Sequence, residues 1–386
     1  MPPSKRLSFI DLLRGWAVIV MIETHVVNAT IRPEIAAQPW FNIINFINGL
    51  VAPTFLFASG MAYAVTTRRK LDSYLSLGTP LFRQLWRLVF ILLLGYGLHI
   101  PRFNLGQMLE GVSERQWLLF YQSDVLHCIA VSLLMLQIML LIVRTERRLY
   151  RIAAGLAVVL LFATPPMWSV DWLQVVPAPL AAYLNGLHHS LFPLFPWSVF
   201  LLAGAIAGHL FGESQKQAPA GGEGMRAFPH GAFARAGGAL IGVSVLLLPL
   251  GFVYPSYDYW RYSPSYVLLR LGIVVLLCAS MMLFEQRRSV SPKSLVTLVG
   301  RESLLVYATH LLLIYGNFGT FSFQQWSDHT FGLPEAFGWT VVLLGLMILL
   351  ASAWDWVRHQ DPRWKRWIQW GVLAITLGVF VWGPGQ

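Results

Sequence analysis

Long apolar runs separated by short polar segments make up most of the sequence. Eleven of these runs approach the roughly 20 residues that a helix needs to cross the hydrocarbon core of a bilayer, and no long polar stretch interrupts the series. The pattern therefore predicts an all-α, polytopic membrane helix bundle that forms one domain over residues 1–386. The predicted spans are 8–28, 42–65, 82–100, 121–143, 152–168, 191–211, 237–254, 265–284, 295–317, 336–356 and 367–383.

The amino-acid composition agrees with a chain built for an apolar solvent. Hydrophobic residues make up 56% of the sequence and charged residues 12%, whereas about a quarter of the residues of a soluble protein are charged. The mean hydropathy is +0.58. Both cysteines, Cys128 and Cys278, lie inside apolar runs and have no disulfide or metal-ligand spacing. We expect them to be small buried side chains, and we predict no metal site.

The positive charge of the chain is distributed as it is in membrane proteins. The net charge of +10 comes from short basic clusters between the apolar runs, which is typical of cytoplasmic loops and excludes a nucleic-acid-binding surface. With a cytoplasmic N-terminus, 22 of the 28 Lys and Arg residues fall in or beside cytoplasmic segments. The distribution therefore predicts that the N-terminus is cytoplasmic and that the bilayer is the main partner of the chain.

The first predicted span contains four ionisable residues: Asp11, Arg14, Glu23 and His25. An ionisable residue inside a membrane is a functional candidate, because it is costly to place there. At 100° per residue, Asp11, Arg14 and His25 share one helix face, and about 16 Å of helix axis separates Arg14 from His25. This face could line a pathway. Alternatively, Asp11 and Arg14 form a structural pair and His25 closes the outer end.

Two further spans place histidines at the same predicted depth as His25. Asp124 and His127 are an i,i+3 pair at the outer end of the fourth span, and Tyr307 and His310 have the same spacing in the ninth. A single membrane histidine often only links helices through a hydrogen bond. Three histidines and an aspartate at one depth favour a site instead.

Aromatic residues are concentrated in three segments that are predicted to lie outside: 117–121, 168–172 and 254–266. They can be an interfacial aromatic belt or surfaces on which sugar rings stack. The sequence contains no HExxH, P-loop, GxSxG or GxGxxG pattern, so the dinucleotide-binding and serine-hydrolase classes receive no support.

Several segments of the sequence together resemble segments of known membrane proteins. The run from Ile10 to Ala17, with His25 after it, is similar to the first helix of the transmembrane acyltransferase superfamily, which includes the acyltransferase-3 proteins. Other segments resemble the heparan-α-glucosaminide N-acetyltransferase-like branch in its bacterial form. They are Val51–Gly60, Asp124–Ala130, Phe195-Pro196-Trp197 with Gly204 and Gly208, and Gly300–Leu304 with Tyr307 and His310. The resemblance covers residues 6–318.

The resemblance implies transfer of an acyl group, most simply acetyl, from cytoplasmic acyl-CoA to a hydroxyl or amine on the other side of the membrane. The acceptor would be a sugar or glycoconjugate, and the location the bacterial cytoplasmic (inner) membrane. In the lysosomal heparan enzyme the proposed catalytic histidine lies in the loop after the first span. Here that loop, 28–41, contains no histidine, and His25 matches the acyltransferase-3 position instead.

This chemistry assigns expected roles to the candidate residues. His25 would be the general base, because histidine is the commonest base for such a proton transfer; Asp124 or His127 would orient it or share the proton. His310 is the alternative base, and an acyl-histidine intermediate is also open.

The donor phosphates would be bound near Asp11 and Arg14, or by Arg83 and Arg87, which are i,i+4 at the inner end of the third span. Ordinary basic flanking of a span explains the second pair equally well.

Two other classes of protein fit parts of the sequence. The same polar face could be the path of a transporter or a lipid flippase, although the repeated halves and broken helix pairs of many carriers are not evident. A non-catalytic membrane scaffold would leave the intramembrane charges without a purpose. Turnover of acyl-CoA would indicate the enzyme, and substrate flux without CoA would indicate the carrier.

Overall fold

The computed structural model describes residues 7–216, 229–254, 258–288, 290–291, 294–316, 322–360 and 362–382, and most of these residues are helical. Two short 3₁₀-helices, Trp172–Gln174 and Leu248–Phe252, accompany the α-helices. The α-helices are α1 (Ser8–Thr30), α2 (Pro33–Ala36), α3 (Phe41–Asn48), α4 (Val51–Leu75), α5 (Thr79–Leu98), α6 (Leu105–Glu110), α7 (Glu114–Tyr121), α8 (Val125–Val143), α9 (Glu146–Trp168), α10 (Ala178–Leu184), α11 (Leu194–Lys216), α12 (His230–Leu246), α13 (Tyr259–Tyr262), α14 (Pro264–Arg287), α15 (Leu295–Arg301), α16 (Ser303–Tyr315), α17 (Phe323–Ser327), α18 (Leu333–Arg358) and α19 (Pro362–Trp382).

Eight helical segments in the described residues are long and apolar enough to cross a membrane, and a ninth is counted if α15 and α16 form one broken span. The eight are Phe41–Leu75, Thr79–Leu98, Val125–Val143, Glu146–Trp168, Leu194–Lys216, His230–Phe252, Pro264–Arg287 and Leu333–Arg358. The structure thus confirms the predicted all-α polytopic bundle. The count of eleven spans, which also includes the regions of α1 and α19, stays a prediction, as does the cytoplasmic N-terminus.

One predicted span has a different local form from the one expected. The apolar run 295–317 suggests a continuous helix, but α15 and α16 meet at 84°. The break lies at Glu302, whose ψ of 20° is not helical. Its buried carboxylate is 2.6 Å from Arg358 and 3.2 Å from Arg301, and Arg301 also pairs with Asp355 at 2.5 Å. This charge network holds the break in place.

The described chain divides into two compact units. The first comprises the described residues within 1–13, 52–96 and 121–290, and the second comprises those within 14–51, 97–120 and 291–386. The predicted single domain over residues 1–386 stays a prediction.

Helices α4 and α11 of the first unit cross with their backbones almost touching. A Cβ atom added to Gly60 would lie 1.9 Å from the Leu201 carbonyl oxygen, and one added to Gly204 would lie 2.0 Å from that of Phe57. Small residues at helix crossings permit such a close approach, which drives helix association in lipid through van der Waals contact. Gly204 belongs to the motif that follows Phe195 in the sequence.

We expect Gly204→Ala to destabilise the protein, because the new methyl group would overlap backbone that cannot move independently of its helix. Overpacking of this kind costs about 1–3 kcal/mol. Gly155→Ala is the matched control, since a Cβ at Gly155 meets no atom within 4 Å. Thermal unfolding in detergent should show a lower Tm for the first variant only. Equal Tm values for the two variants would contradict the crossing.

Contacts within the second unit fix both ends of the part of α1 that belongs to it, residues 14–30. A Cβ added to Gly15 would lie 2.2 Å from the Val296 carbonyl oxygen, so α1 approaches α15 directly beside Arg14. At the other end, the Phe331 N–H donates to the Thr30 carbonyl at 3.0 Å, and the Arg32 N–H donates to the Phe331 carbonyl at 3.0 Å. These contacts set the position of the segment that contains His25.

Candidate active site

Two histidines that are 285 positions apart in the sequence lie in ring contact in the second unit. The ring centroids of His25, in α1, and His310, in α16, are 5.2 Å apart and the rings are tilted by 57°. His310 is completely buried, whereas His25 is partly exposed. The structure therefore brings together two of the histidines that the sequence predicts as catalytic candidates.

The hydrogen bonds of His310 determine which of its ring nitrogens carries the proton. Its Nδ1 lies 2.8 Å from the Val306 carbonyl oxygen. A carbonyl only accepts hydrogen bonds, so Nδ1 must be the donor and a neutral ring has its lone pair on Nε2. This Nε2 is buried and has no hydrogen-bond partner among the described residues. A buried acceptor without a partner is unusual in native proteins.

Tyr315 is the side chain that holds His25. Its hydroxyl lies 3.1 Å from His25 Nδ1, and the two rings meet edge to face with centroids 5.7 Å apart. Two arrangements satisfy the bond: either the phenol donates to Nδ1, or Nδ1–H donates to the phenol oxygen. In the second arrangement Nε2 of His25 has the lone pair that a general base requires.

The other tyrosine on α16 touches the second histidine of the pair. Tyr307, which the sequence associates with His310, contacts the His310 ring edge to face at a centroid distance of 5.9 Å. Tyr315 was not predicted. It is five positions beyond His310, so helical spacing gives no reason to place it on the same face.

Asp124 and His127 lie in the first unit and form the start of α8. The Asp124 carboxylate accepts the Leu126 N–H, and the Asp124 N–H donates to His127 Nδ1 at 3.2 Å. This reciprocal arrangement is a capping box, which satisfies N–H groups that would otherwise be unpaired at the helix start. Both side chains are buried. The predicted support of His25 by Asp124 stays a prediction.

The imidazole of His127 is enclosed by aromatic rings and by a glycine. Its centroid is 4.3 Å from that of Tyr96 and 6.4 Å from that of Tyr183, and the two phenol oxygens are 3.0 Å apart. A Cβ added to Gly95 would lie 2.6 Å from the His127 ring. This close packing fixes the orientation of the ring.

The predicted donor-binding residues lie on α1 and α5. Asp11 and Arg14 lie on the first half of α1, where Asp11 is buried and Arg14 is partly exposed. About 16 Å of helix axis separates Arg14 from His25. Arg83 and Arg87 are exposed on the first half of α5. Their binding of a donor stays a prediction.

The N-terminus of α1 is already bound by a carboxylate that sequence reasoning did not identify. Glu285, near the end of α14, accepts the Ser8 N–H at 3.2 Å and the Phe9 N–H at 2.6 Å. A negative group is stabilised at a helix N-terminus by the free N–H groups and the helix dipole. The Ser8 and Phe9 N–H groups are therefore not free to bind a phosphate.

One side-chain cluster in the described residues has the composition of a metal site. The ligand atoms of Glu146, His209 and Glu213 lie within 4.8 Å of one another. However, Glu213 pairs with Arg68 at 2.7 Å and with Lys216 at 3.3 Å. These two cations already neutralise the carboxylate that a metal ion would need.

Comparison with protein families identifies a match over most of the chain. The sequence model described as "Heparan-alpha-glucosaminide N-acetyltransferase, catalytic" matches residues 6–239. The matched region includes His25, Asp124 and His127, and it ends before His310. No curated protein matches the chain in a sequence search.

Proposed function

Since the chain belongs to the heparan-α-glucosaminide N-acetyltransferase family, and is thus a multi-pass membrane acyltransferase, we propose that its donor is cytoplasmic acyl-CoA, most simply acetyl-CoA. The acceptor is an amine or hydroxyl of a sugar or glycoconjugate on the opposite face of the membrane. The enzyme acts in the cytoplasmic (inner) membrane of a bacterium.

The contact between His25 and His310 is the observation that supports this proposal most strongly. Acyl transfer requires a base that removes a proton from the acceptor as it attacks the thioester carbonyl. His25 is the base, because this residue is partly exposed whereas His310 is fully buried. The Tyr315 hydroxyl oxygen accepts a hydrogen bond from the Nδ1–H of His25, so that Nε2 has the lone pair.

The proton follows a short path in this mechanism. His25 Nε2 takes the proton from the acceptor nitrogen or oxygen, whose lone pair forms the new bond to the acyl carbon. The carbon–sulfur bond then breaks, and the CoA thiolate leaves and recovers a proton from the imidazolium. His310, whose ring is in contact with the His25 ring, stabilises the positive charge that develops there.

The donor is bound at the other end of the same helix segment. Arg14 binds phosphate oxygens of CoA, because a guanidinium offers several donors in a fixed plane that match a phosphate. The distance of about 16 Å from Arg14 to His25 suits an extended pantetheine arm. The CoA phosphates then stay on the cytoplasmic side while the thioester reaches the base.

Release of CoA by the purified protein tests the proposal directly. The protein in detergent is supplied with acetyl-CoA, with and without glucosamine as an amine acceptor, and free CoA is measured with a thiol reagent. Both protein cysteines are buried, so they add little signal. We expect CoA release that increases with glucosamine and an equal amount of N-acetylglucosamine. Failure to release CoA with amine or hydroxyl sugars would contradict acyl transfer.

Arg14→Ala should weaken acetyl-CoA binding by about 10–100-fold, because a hydrogen bond to a charged group contributes roughly 1.5–3 kcal/mol. Titration of acetyl-CoA by calorimetry measures this, with Arg115→Ala, an exposed arginine on α7, as the control. Unchanged acetyl-CoA affinity in a folded Arg14→Ala protein would indicate that Arg83 and Arg87 bind the donor instead.

A further inference from the structure

Arg270 is a cation inside a membrane-spanning helix of the first unit. It lies in the second turn of α14, is partly buried and donates from Nη2 to the Tyr266 hydroxyl at 2.8 Å. No carboxylate in the described part of the chain lies within ion-pair distance of it, and its buried Nε has no acceptor there. A charge in a membrane is costly, and such residues usually have a partner.

Aromatic faces stabilise this guanidinium in place of a carboxylate. The guanidinium carbon is 3.9 Å from the ring centroid of Tyr266 and 5.7 Å from that of Trp197. Tyr266 also contacts Trp260 at a centroid distance of 5.3 Å. Cation–π contacts offset part of the cost of removing the charge from water, but they leave N–H donors free. The positive charge is stabilised without being neutralised.

A series of contacts connects the surroundings of Arg270 to the start of α8. Trp197 meets Phe192 edge to face at 4.7 Å, and the Phe192 N–H donates to the Ser123 carbonyl at 2.8 Å. The Ser123 hydroxyl in turn donates to the Phe192 carbonyl at 2.9 Å. Arg270 is therefore held by a fixed set of contacts that reaches the residue next to Asp124. An arginine held in this way loses little conformational freedom when it binds a ligand.

We propose that Arg270, with Trp197 and Tyr266, forms a binding site for an oxyanion, meaning a carboxylate, sulfate or phosphate group. An arginine with unused donors matches the geometry of these groups, and the aromatic faces offer an apolar surface to the rest of the ligand. The oxyanion has two possible sources: a substituent of a sugar, or the phosphate of a lipid headgroup. This proposal does not depend on the acyl-transfer function, and it is tested without acyl-CoA.

Binding measurements with matched charged and neutral probes test this site. The protein in detergent is titrated with glucuronate, with glucose 6-phosphate and with neutral glucose, and in a second arm with phosphatidylglycerol and phosphatidylcholine in mixed micelles. We expect one anionic probe to bind at least tenfold more tightly than its neutral match. A preference among the sugars identifies a sugar substituent, and a preference among the lipids alone identifies a headgroup.

Substitutions then assign the preference to Arg270. Arg270→Gln should abolish it, and Arg270→Lys should reduce it several-fold, because the ammonium keeps the charge but loses the planar arrangement of donors. Arg261→Gln is the control, since Arg261 also lies over an aromatic ring, that of Trp168, but is exposed. If Arg270→Gln does not fold, the Arg270→Lys result decides. No anionic preference in the wild type, or a full preference in a folded Arg270 variant, would overturn the proposal.

Discussion

His25→Ala should lower turnover by at least about a hundredfold, while acetyl-CoA affinity stays within a few-fold of the wild-type value. General base catalysis contributes typically 10²–10⁴-fold, which corresponds to roughly 3–5 kcal/mol of barrier at 1.36 kcal/mol per tenfold change. The donor phosphates are bound about 16 Å away along α1, so removal of the imidazole should affect the chemical step and leave binding nearly intact. Steady-state CoA release and a separate acetyl-CoA titration measure the two effects.

A matched histidine provides the control for this result. His359 is exposed at the end of α18 and bonds only locally, through Nδ1, to the Asp355 carbonyl at 2.6 Å, so His359→Ala should keep its turnover. If His25→Ala retains most of its turnover and His310→Ala is inactive, the base is His310 and α16 supplies the chemistry. If both variants are active, the two imidazoles only pack α1 against α16.

His310→Ala should lower turnover by about 10–100-fold, because the imidazole in contact with the His25 ring no longer stabilises the charge on the imidazolium. The decisive measurement is the double variant. When one residue acts through another, the effects of their substitutions are not additive. We therefore expect His25→Ala/His310→Ala to be no slower than His25→Ala alone.

The pH dependence separates this positioning role from simple packing. The ascending limb of the plot of kcat against pH reports the base in the enzyme–substrate complex. Without His310, the pH at the midpoint of this limb should differ from the wild-type value. A merely structural loss would lower the whole profile without moving it. Additive losses in the double variant, together with an unmoved profile, would contradict the role assigned to His310.

The helices and several candidate residues could be predicted from the sequence because they depend on local pattern. The apolar runs predict the helical regions, since burial in lipid requires every backbone group to be bonded within its own helix. His25 and His310 stand out because each is polar in an apolar run. Their contact depends on the packing of α1 against α16, which no spacing in the sequence reveals.

Other features depend on interactions between distant segments and could not be predicted in the same way. The run 295–317 has the composition of a straight span, but the ion pairs of Glu302 with Arg301 and Arg358 support a break there. Glu285 binds the N-terminus of α1 from more than 270 positions away. In each case a charged side chain obtains its role from a partner that only the folded chain provides.

Measuring the transfer of an acetyl group across a sealed membrane is the sharpest test of the proposed reaction. Proteoliposomes are loaded with glucosamine and given acetyl-labelled acetyl-CoA on the outside only, and the labelled N-acetylglucosamine trapped in the lumen is measured after the outer solution is removed. We expect labelled product to accumulate inside vesicles with wild-type protein, in step with CoA release outside, and not to accumulate with His25→Ala. Product that forms only when donor and acceptor share one side, or intact acetyl-CoA in the lumen, would contradict the proposed reaction.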